Sequence, residues 1–480
     1  MDDGKTVILD GRSLTFQAVE AVARDGARVR LDDAAVERNA MAARALGELL
    51  ERGEPVYGVT TGVGPFRTRQ VVPGERGDQQ LRLLRSHAAG GGRLLPRELV
   101  RAAMAVRANQ LGAGGAGVSV SLLDALVTAL NDDFVPAAHE IGSLGTGDLT
   151  ILAELALALI DAYSLELGPR DGIGFMSSNA ASIGHAALVA ASARRLLDGS
   201  GLVAALSFLA AAADPIVLDA RVHEARPHPG PAKVAAWMRE LLGEDSARAV
   251  AEARADSPIQ DPYPFRALPQ VAGATRDALE ALERVLAVEL NSASENALID
   301  AAEPAVLPNA NFHAGGLAIA LDGLRAALAQ SSSLGAARVT SLLDPSLTGL
   351  PRMLASDTGS GSGAMMLEYT AHAAAAEVRV LAAPVTAQTT AVGGSVESHA
   401  SFALLAARMA EQAVEAAAVA TAAELVVAVR GLRMRGVHPS GIPVADMYAR
   451  AAAVLDPDMA DRPLSEDLDA AERLLFEETR

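Results

Sequence analysis

A mainly α-helical protein is predicted from three observations. Aromatic residues make up only 3% of the 480, and Ala, Leu and Val carry the apolar content, which favours close-packed helices over sheets. Residues 275–290, 315–334, 365–381 and 401–432 are long, Ala-rich and free of interior proline, as helices of a bundle would be. With 50% hydrophobic and 21% charged residues the chain is too apolar for disorder and must bury much surface.

The elements follow in order. The first 150 residues mix short β-like runs, at 6–9 and 28–31, with helices and two glycine-dense patches, at 57–64 and 90–92, so this part is expected to be rich in loops. From residue 152 the pattern turns helical, with apolar runs at 152–160, 180–197 and 202–213 separated by Pro, Gly or Asp. The long helices come next. The last of them, 401–432, is apolar nearly all round, which implies burial on every side at a bundle centre or a subunit interface, and hence an oligomer. After Pro439 the pattern returns to ordinary amphipathic helices, with no internal repeat or low-complexity tract. A chain of this length exceeds one compact core, and the expected division is a loop-rich domain over 1–200 and a long-helix bundle over 201–480 that forms the oligomerisation core.

Charge and composition narrow the chemistry. A net charge of −18 would repel nucleic acid and anionic membranes alike, leaving small-molecule chemistry. There is no Cys, which removes disulfides, thiolate catalysis and Cys-based metal sites. The acidic N-terminus has no apolar stretch behind it, and the runs 201–213 and 416–429 are short or interrupted by Glu424, so a cytoplasmic protein with buried helices is expected. Lysine occurs only at Lys5 and Lys233, neither in a motif-like context, so lysine-based catalysis is set aside. No His pair shows the helical spacing of a metal site, and neither metal nor nucleotide is expected.

Five patches look out of place for structure alone. Residues 57–64 set Tyr57 in a glycine loop, where a phenol can approach a ligand and act as acid or base. His87 precedes the flexible turn at 88–92, although a backbone-satisfied histidine is at least as common. Residues 142–149 form a glycine loop opening a helix; it lacks the lysine of a phosphate loop. Residues 260–266 place Gln260, Tyr263 and Arg266 within seven positions, and arginine is the natural bidentate clamp for a carboxylate. Finally Asn291 to Asn296, Asn309 to His313, and Ser395 to His399 put polar groups beside apolar helices, where buried polar atoms need partners or a function. Each alone is more often structural.

Together, in this order and spacing, the patches resemble the aromatic amino-acid ammonia-lyase family of histidine, phenylalanine and tyrosine ammonia-lyases and aminomutases. The resemblance runs from Tyr57-Gly58 to Asp461-Arg462-Pro463-Leu464 and includes Arg107-Ala108-Asn109 and Glu377-Val378-Arg379. It implies an ammonia-lyase-like fold with a long central helix bundle of the aspartase/fumarase type, and a homotetramer whose active sites draw on three chains. Carried over by position, it makes Tyr57 the catalytic tyrosine with Gly62 in its loop, His87 the reader of the substrate side chain, and Arg266 the carboxylate clamp. Tyr263, a catalytic tyrosine in this reading, lines cofactor and substrate with Gln260, Asn311 and Phe312. Glu397 matches the glutamate of histidine-type members, where phenylalanine-type members carry an amide.

The departures cluster in one place. Family members cyclise an internal Ala-Ser-Gly into the electrophile 4-methylideneimidazole-5-one, abbreviated MIO. Here Gly145-Thr146-Gly147-Asp148 is one residue short and its serine is replaced by Thr146, so the group is either a Thr-derived variant or absent. Ser177 stands where the family asparagine contacts the cofactor, with Asn179 two residues on, and Val396 replaces the usual Gln before Glu397. The leading expectation is a C–N lyase that eliminates an amine from a histidine-like or other aryl amino acid to give an aryl acrylate. The alternatives are a 2,3-aminomutase, an MIO-independent elimination of trimethylamine from a histidine betaine in the manner of ergothionase, and a catalytically dead homologue kept as a binding or scaffold protein.

Overall fold

The structure is a computed structural model and describes residues 6–72, 74, 76–243, 260–357, 359–392 and 397–477. Helix accounts for 63% and strand for 5%, as the composition requires. Two compact units are present, each assembled from three stretches of chain: residues 1–191, 282–322 and 384–408 in the first, and 192–281, 323–383 and 409–480 in the second.

In the first unit the β-like runs form a short parallel pair, Val7–Leu9 with Val29–Leu31. The flanking helices Phe16–Ala23 and Asp33–Glu51 start on side-chain caps: Thr15 Oγ1 accepts the Ala18 N–H and Asp32 accepts the Ala34 N–H. The Arg97–Ala113 helix is the core, buried continuously from Leu99 to Gly112, and on that account its Arg101, Arg107, Asn109 and Gln110 all need partners. The glycine patch at 90–92 is not simply a turn. It enters a strand, Gly91–Leu94, paired antiparallel with His139–Ile141. A second hairpin joins Leu298–Asp300 to Ala305–Leu307.

The runs expected as separate helices at 180–197 and 202–213 are one helix, Ala180–Ala211. Gly199 and Gly201 do not break it, because they serve packing: within the second unit a Cβ at Gly201 would strike the Trp237 ring. The other long helices run Leu268–Glu289, Gly315–Leu343, Met365–Leu381 and Ala403–Arg435. The last is long and apolar enough to cross a membrane, yet 78% of its most apolar window is buried in the protein, which marks a core helix. In the second unit the Glu424 that interrupts it is buried and held by Arg338 at 2.6 and 2.8 Å, and it accepts from Ser207 Oγ at 2.7 Å.

Candidate active site

Within the first unit, a cavity of about 270 Å³ gathers side chains from seven separate stretches of chain. Tyr57, between buried Val56 and Val59, lines it, and its hydroxyl oxygen accepts the Gly64 N–H at 2.8 Å. Gly58 makes this loop possible: its φ is +72°, and a Cβ there would press on Ile173. Buried Gln80 locks loop to scaffold, donating to Gly58 O at 2.8 Å while accepting the Ile173 N–H at 2.9 Å. Burial is the main force that pushes the Tyr57 phenol above its ordinary value; the Gly64 N–H opposes it and the Glu397 charge reinforces it.

His87 ends the Arg76–His87 helix and lines the same cavity. Its Nδ1 lies 2.9 Å from Leu83 O, an acceptor only, so Nδ1 carries a proton and Nε2 is the ring nitrogen left to face a ligand. Phe312, Ser177 and Asn296 line further walls, with Phe66 and Val392 at the margin.

The 145–147 loop forms another wall. Thr146 Oγ1 donates to Glu397 Oε2 at 2.9 Å, and both residues line the cavity. Gly145 and Gly147 have φ of +80° and +102°; a Cβ on Gly145 would collide with Ser401 Oγ, which donates to Gly145 O at 2.9 Å. The Gly147 N–H donates to Asn179 Oδ1 at 3.2 Å, and Asn179 Nδ2 donates to Phe312 O. Asp148 is fully buried beneath the loop and accepts from Ser143 Oγ, Ser182 N–H and Ser182 Oγ at 2.6 to 2.8 Å. Burial drives its carboxyl above the ordinary range, and those donors moderate the rise.

The walls are fixed from behind by a buried ion pair. Arg107 Nη1 lies 3.0 Å from Glu295, neither side chain exposed, and Arg107 Nε donates to Phe175 O at 2.8 Å. One arginine thus anchors both the turn that leads to Ser177 and the segment that carries Asn296. Ser178 Oγ adds a bond to Gln110 Oε1 at 2.6 Å, and Asn296 N–H donates to Ser177 Oγ at 3.3 Å.

Of the residues expected from sequence, Tyr57, His87, Thr146, Ser177, Phe312 and Glu397 therefore line one cavity, and Gly145, Gly147 and Asn179 are bonded into its wall. Asn311 is exposed and does not line it. Gln260, Tyr263 and Arg266 belong to the second unit, where Tyr263 is 67% exposed and Arg266 Nε donates to Asp261 O at 2.9 Å, its guanidinium 5.5 Å from the Tyr263 ring centre. Val396 and Lys5 lie outside the described residues. Gln80 and Ser401 were not expected as parts of this site. Asn296 stood at the end of a quoted polar patch, whereas nothing in the helical pattern around Gln80 distinguishes it from a surface glutamine.

A phenol, an imidazole and a carboxylate around one small cavity equip this helical scaffold for acid–base chemistry on a small molecule. The model of the aromatic amino acid lyase family matches residues 14–163 and 161–453, and the chain belongs to that family. It is 33% identical to the histidine ammonia-lyase of Treponema denticola over 97% of this chain and 95% of that protein. Among solved structures, ergothionase from Treponema denticola, an ergothioneine-degrading enzyme, superposes with a TM-score of 0.89 at 26% identity, covering 98% of each chain. Tyrosine aminomutase from Streptomyces globisporus gives 0.91 at 29% identity over 98% of this chain and 97% of that one.

Proposed function

We propose that this lyase eliminates an amine from a histidine-like amino acid without the family's MIO group, giving an imidazole-type acrylate and the free amine. The observation that carries the reading is the single cavity holding Tyr57, His87, Thr146 and Glu397. Tyr57 removes a β-proton, the β-carbon electrons form the new C=C bond, and the bond from Cα to nitrogen breaks. His87 and Glu397 read the imidazole side chain, one through Nε2 and the other through its carboxylate. In the free protein Tyr57 is a neutral phenol. A cationic substrate entering the cavity offsets that carboxylate's field and makes the phenol easier to ionise. Arg266, with Tyr263 and Gln260, comes from a neighbouring copy in a homotetramer and clamps the substrate carboxylate; Asn311 takes its place at the cavity only in that assembly.

The loop fits an MIO group poorly. Ring closure joins the first carbonyl carbon to the third nitrogen and sheds two waters, and the dehydrated second residue supplies a terminal methylene. Here the nitrogen's N–H is bonded to Asn179, Ser401 Oγ fills the place of the usual alanine Cβ, and Thr146 carries an extra methyl while its hydroxyl is held by Glu397. Ser177 and Asn179 accordingly brace the loop and its neighbours. Positioned acid–base catalysis supplies roughly 10²–10⁴ of the 10⁶ or more that enzymes need, so the substrate must bring a better leaving group than ammonia.

That favours a second, narrower reading of the same site. Tyr57, Phe66 and Phe312 converge on the cavity with Glu397, and among the described residues no Lys or Arg lines it. Aromatic faces with a carboxylate suit a quaternary ammonium, a leaving group that needs no electrophile. The test is intact-protein mass spectrometry with sequencing of the 142–149 peptide, followed by amine release from L-histidine and from its N,N,N-trimethyl betaine. An unmodified peptide and trimethylamine release are expected. A peptide short by two waters would overturn the cofactor-free reading, and release from neither substrate would overturn the lyase assignment to histidine-like compounds.

A further inference from the structure

The hairpin that follows Tyr57 carries an arginine that the lyase reading does not use. Residues 60–71 fold back on themselves within the first unit: Thr61 pairs antiparallel with Gln70, the Gly62 N–H donates to Arg69 O and the Val71 N–H to Thr60 O, each at 2.9 Å. Gln79 Nε2, from the Arg76–His87 helix, donates to Thr61 O at 3.2 Å and ties the hairpin to the scaffold. At its tip lies one 3₁₀ turn, Gly64–Phe66, which Arg67 closes by donating its N–H to Gly64 O at 3.1 Å. Gly64 therefore serves both sides. Its N–H donates to the Tyr57 hydroxyl oxygen at 2.8 Å, and its carbonyl also accepts Arg67 Nη1 at 3.4 Å. The backbone of a single residue links the guanidinium to the phenol.

Arg67 is exposed, and among the described residues no carboxylate is paired with it. Arg69 is placed differently, its guanidinium 4.5 Å from the Phe66 ring centre. The charged and titratable groups that face the Tyr57 hydroxyl are Glu397 and His87, which share its cavity, and Arg67 on the far side of Gly64. Removal of a β-proton requires the phenolate, and an anion in a half-buried place beside Glu397 needs a compensating charge. Burial raises the pKa of this phenol most; the Gly64 N–H lowers it, Glu397 raises it again, and the Arg67 charge lowers it. We propose that Arg67 is a positioning residue of the lyase site, whose guanidinium, seated on Gly64 O, stabilises the Tyr57 phenolate as the base forms. The proposal rests on the reading of Tyr57 as the base and adds the cation that this reading lacks within the chain.

Tyr57 is one of five tyrosines, so its ionisation is isolated as the phenolate absorbance of each full-length protein minus that of the same protein carrying Tyr57→Phe. Arg67→Gln should displace the rising edge of that difference to higher pH by about 0.3–0.7 unit, the worth of an exposed charge pair. Arg67→Glu should displace it further, and both displacements should shrink at about 0.5 M salt. Below the limb, kcat/KM for amine release should fall by the matching factor in Arg67→Gln, roughly two- to fivefold. A lysine titrates over the same range as the phenol, so Arg67→Lys is read in turnover near about pH 8, where its charge should recover kcat/KM. The proposal is overturned if Arg67→Gln leaves the ionisation in place, if Arg67→Lys turns over no faster than Arg67→Gln, if Arg69→Gln displaces the ionisation equally, or if the ionisation moves while kcat/KM does not. A wild type that releases no amine would instead end the lyase reading, and the absorbance series would still show whether Arg67 acts on the phenol.

Discussion

Tyr57 couples its own protonation to a neighbour's charge. Its phenol is held above the ordinary value of 10.0, first by burial and further by Glu397, so at neutral pH the base form is scarce. Activity that depends on that base should rise with pH along a limb centred above the ordinary tyrosine value. Glu397→Gln removes the repelling charge, and the limb in kcat/KM should then move to lower pH; a limb that stays in place would show that Glu397 does not face the phenolate. Tyr57→Phe should cut turnover by roughly 10²–10⁴. Thr146 gives a sharper discrimination. If its hydroxyl only orients Glu397, Thr146→Ala should cost about 1.5 kcal/mol, or roughly tenfold in kcat/KM, the worth of one hydrogen bond to a charged group. Complete loss of turnover would instead mean that Thr146 is consumed in making a catalytic group.

At the scale of elements, the cavity is held by what lies behind it. The Arg97–Ala113 helix presents Arg107 to Phe175 O and Glu295, and so ties together the Asp171–Met176 turn of helix and the 291–296 segment. Breaking a buried pair strands a charge, and Arg107→Met should lower stability by about 3–5 kcal/mol, seen as a fall in the urea midpoint. Replacing Glu295 by Leu in the same chain should recover part of that loss; a double variant no more stable than the single would mean the pair contributes through its backbone bonds alone. This layer of the site was the least legible in the sequence. Tyr57, His87, Thr146 and Glu397 stood out because each interrupts a glycine loop or precedes an apolar helix, and local composition is enough to mark such places. Arg107 and Asn109 were noticed only through the family resemblance, and Gln80 escaped because its two bonds, to Gly58 and Ile173, join segments 22 and 93 residues away. The helices were legible through their alanine-rich, proline-free runs. The uninterrupted Ala180–Ala211 helix was not, since Gly201 reads as a breaker until Trp237 is seen to require it.

At the scale of the whole molecule, two helices bear on assembly. The nearly all-apolar 401–432 run pointed to a bundle centre or a subunit interface, and the Ala403–Arg435 helix finds most of its burial within its own chain. A surface that lacks cover lies on Met365–Leu381, where Met366, Tyr369 and Val380 are 57%, 62% and 75% exposed. Large apolar side chains grouped on one helix mark a surface that a partner covers. The proposed homotetramer would bury this helix and bring Arg266 of a neighbouring copy to the lyase cavity as its carboxylate clamp. Met366→Glu with Tyr369→Glu should therefore reduce the assembly, read by light scattering as a mass below four chains, because a buried unpaired carboxylate costs several kcal/mol per site. Turnover should fall in step with the assembly, and KM should suffer before kcat as the clamp is lost. A dissociated variant that keeps full turnover would show that each chain completes its own site, and the shared arrangement of Arg266, Tyr263 and Gln260 would have to be abandoned.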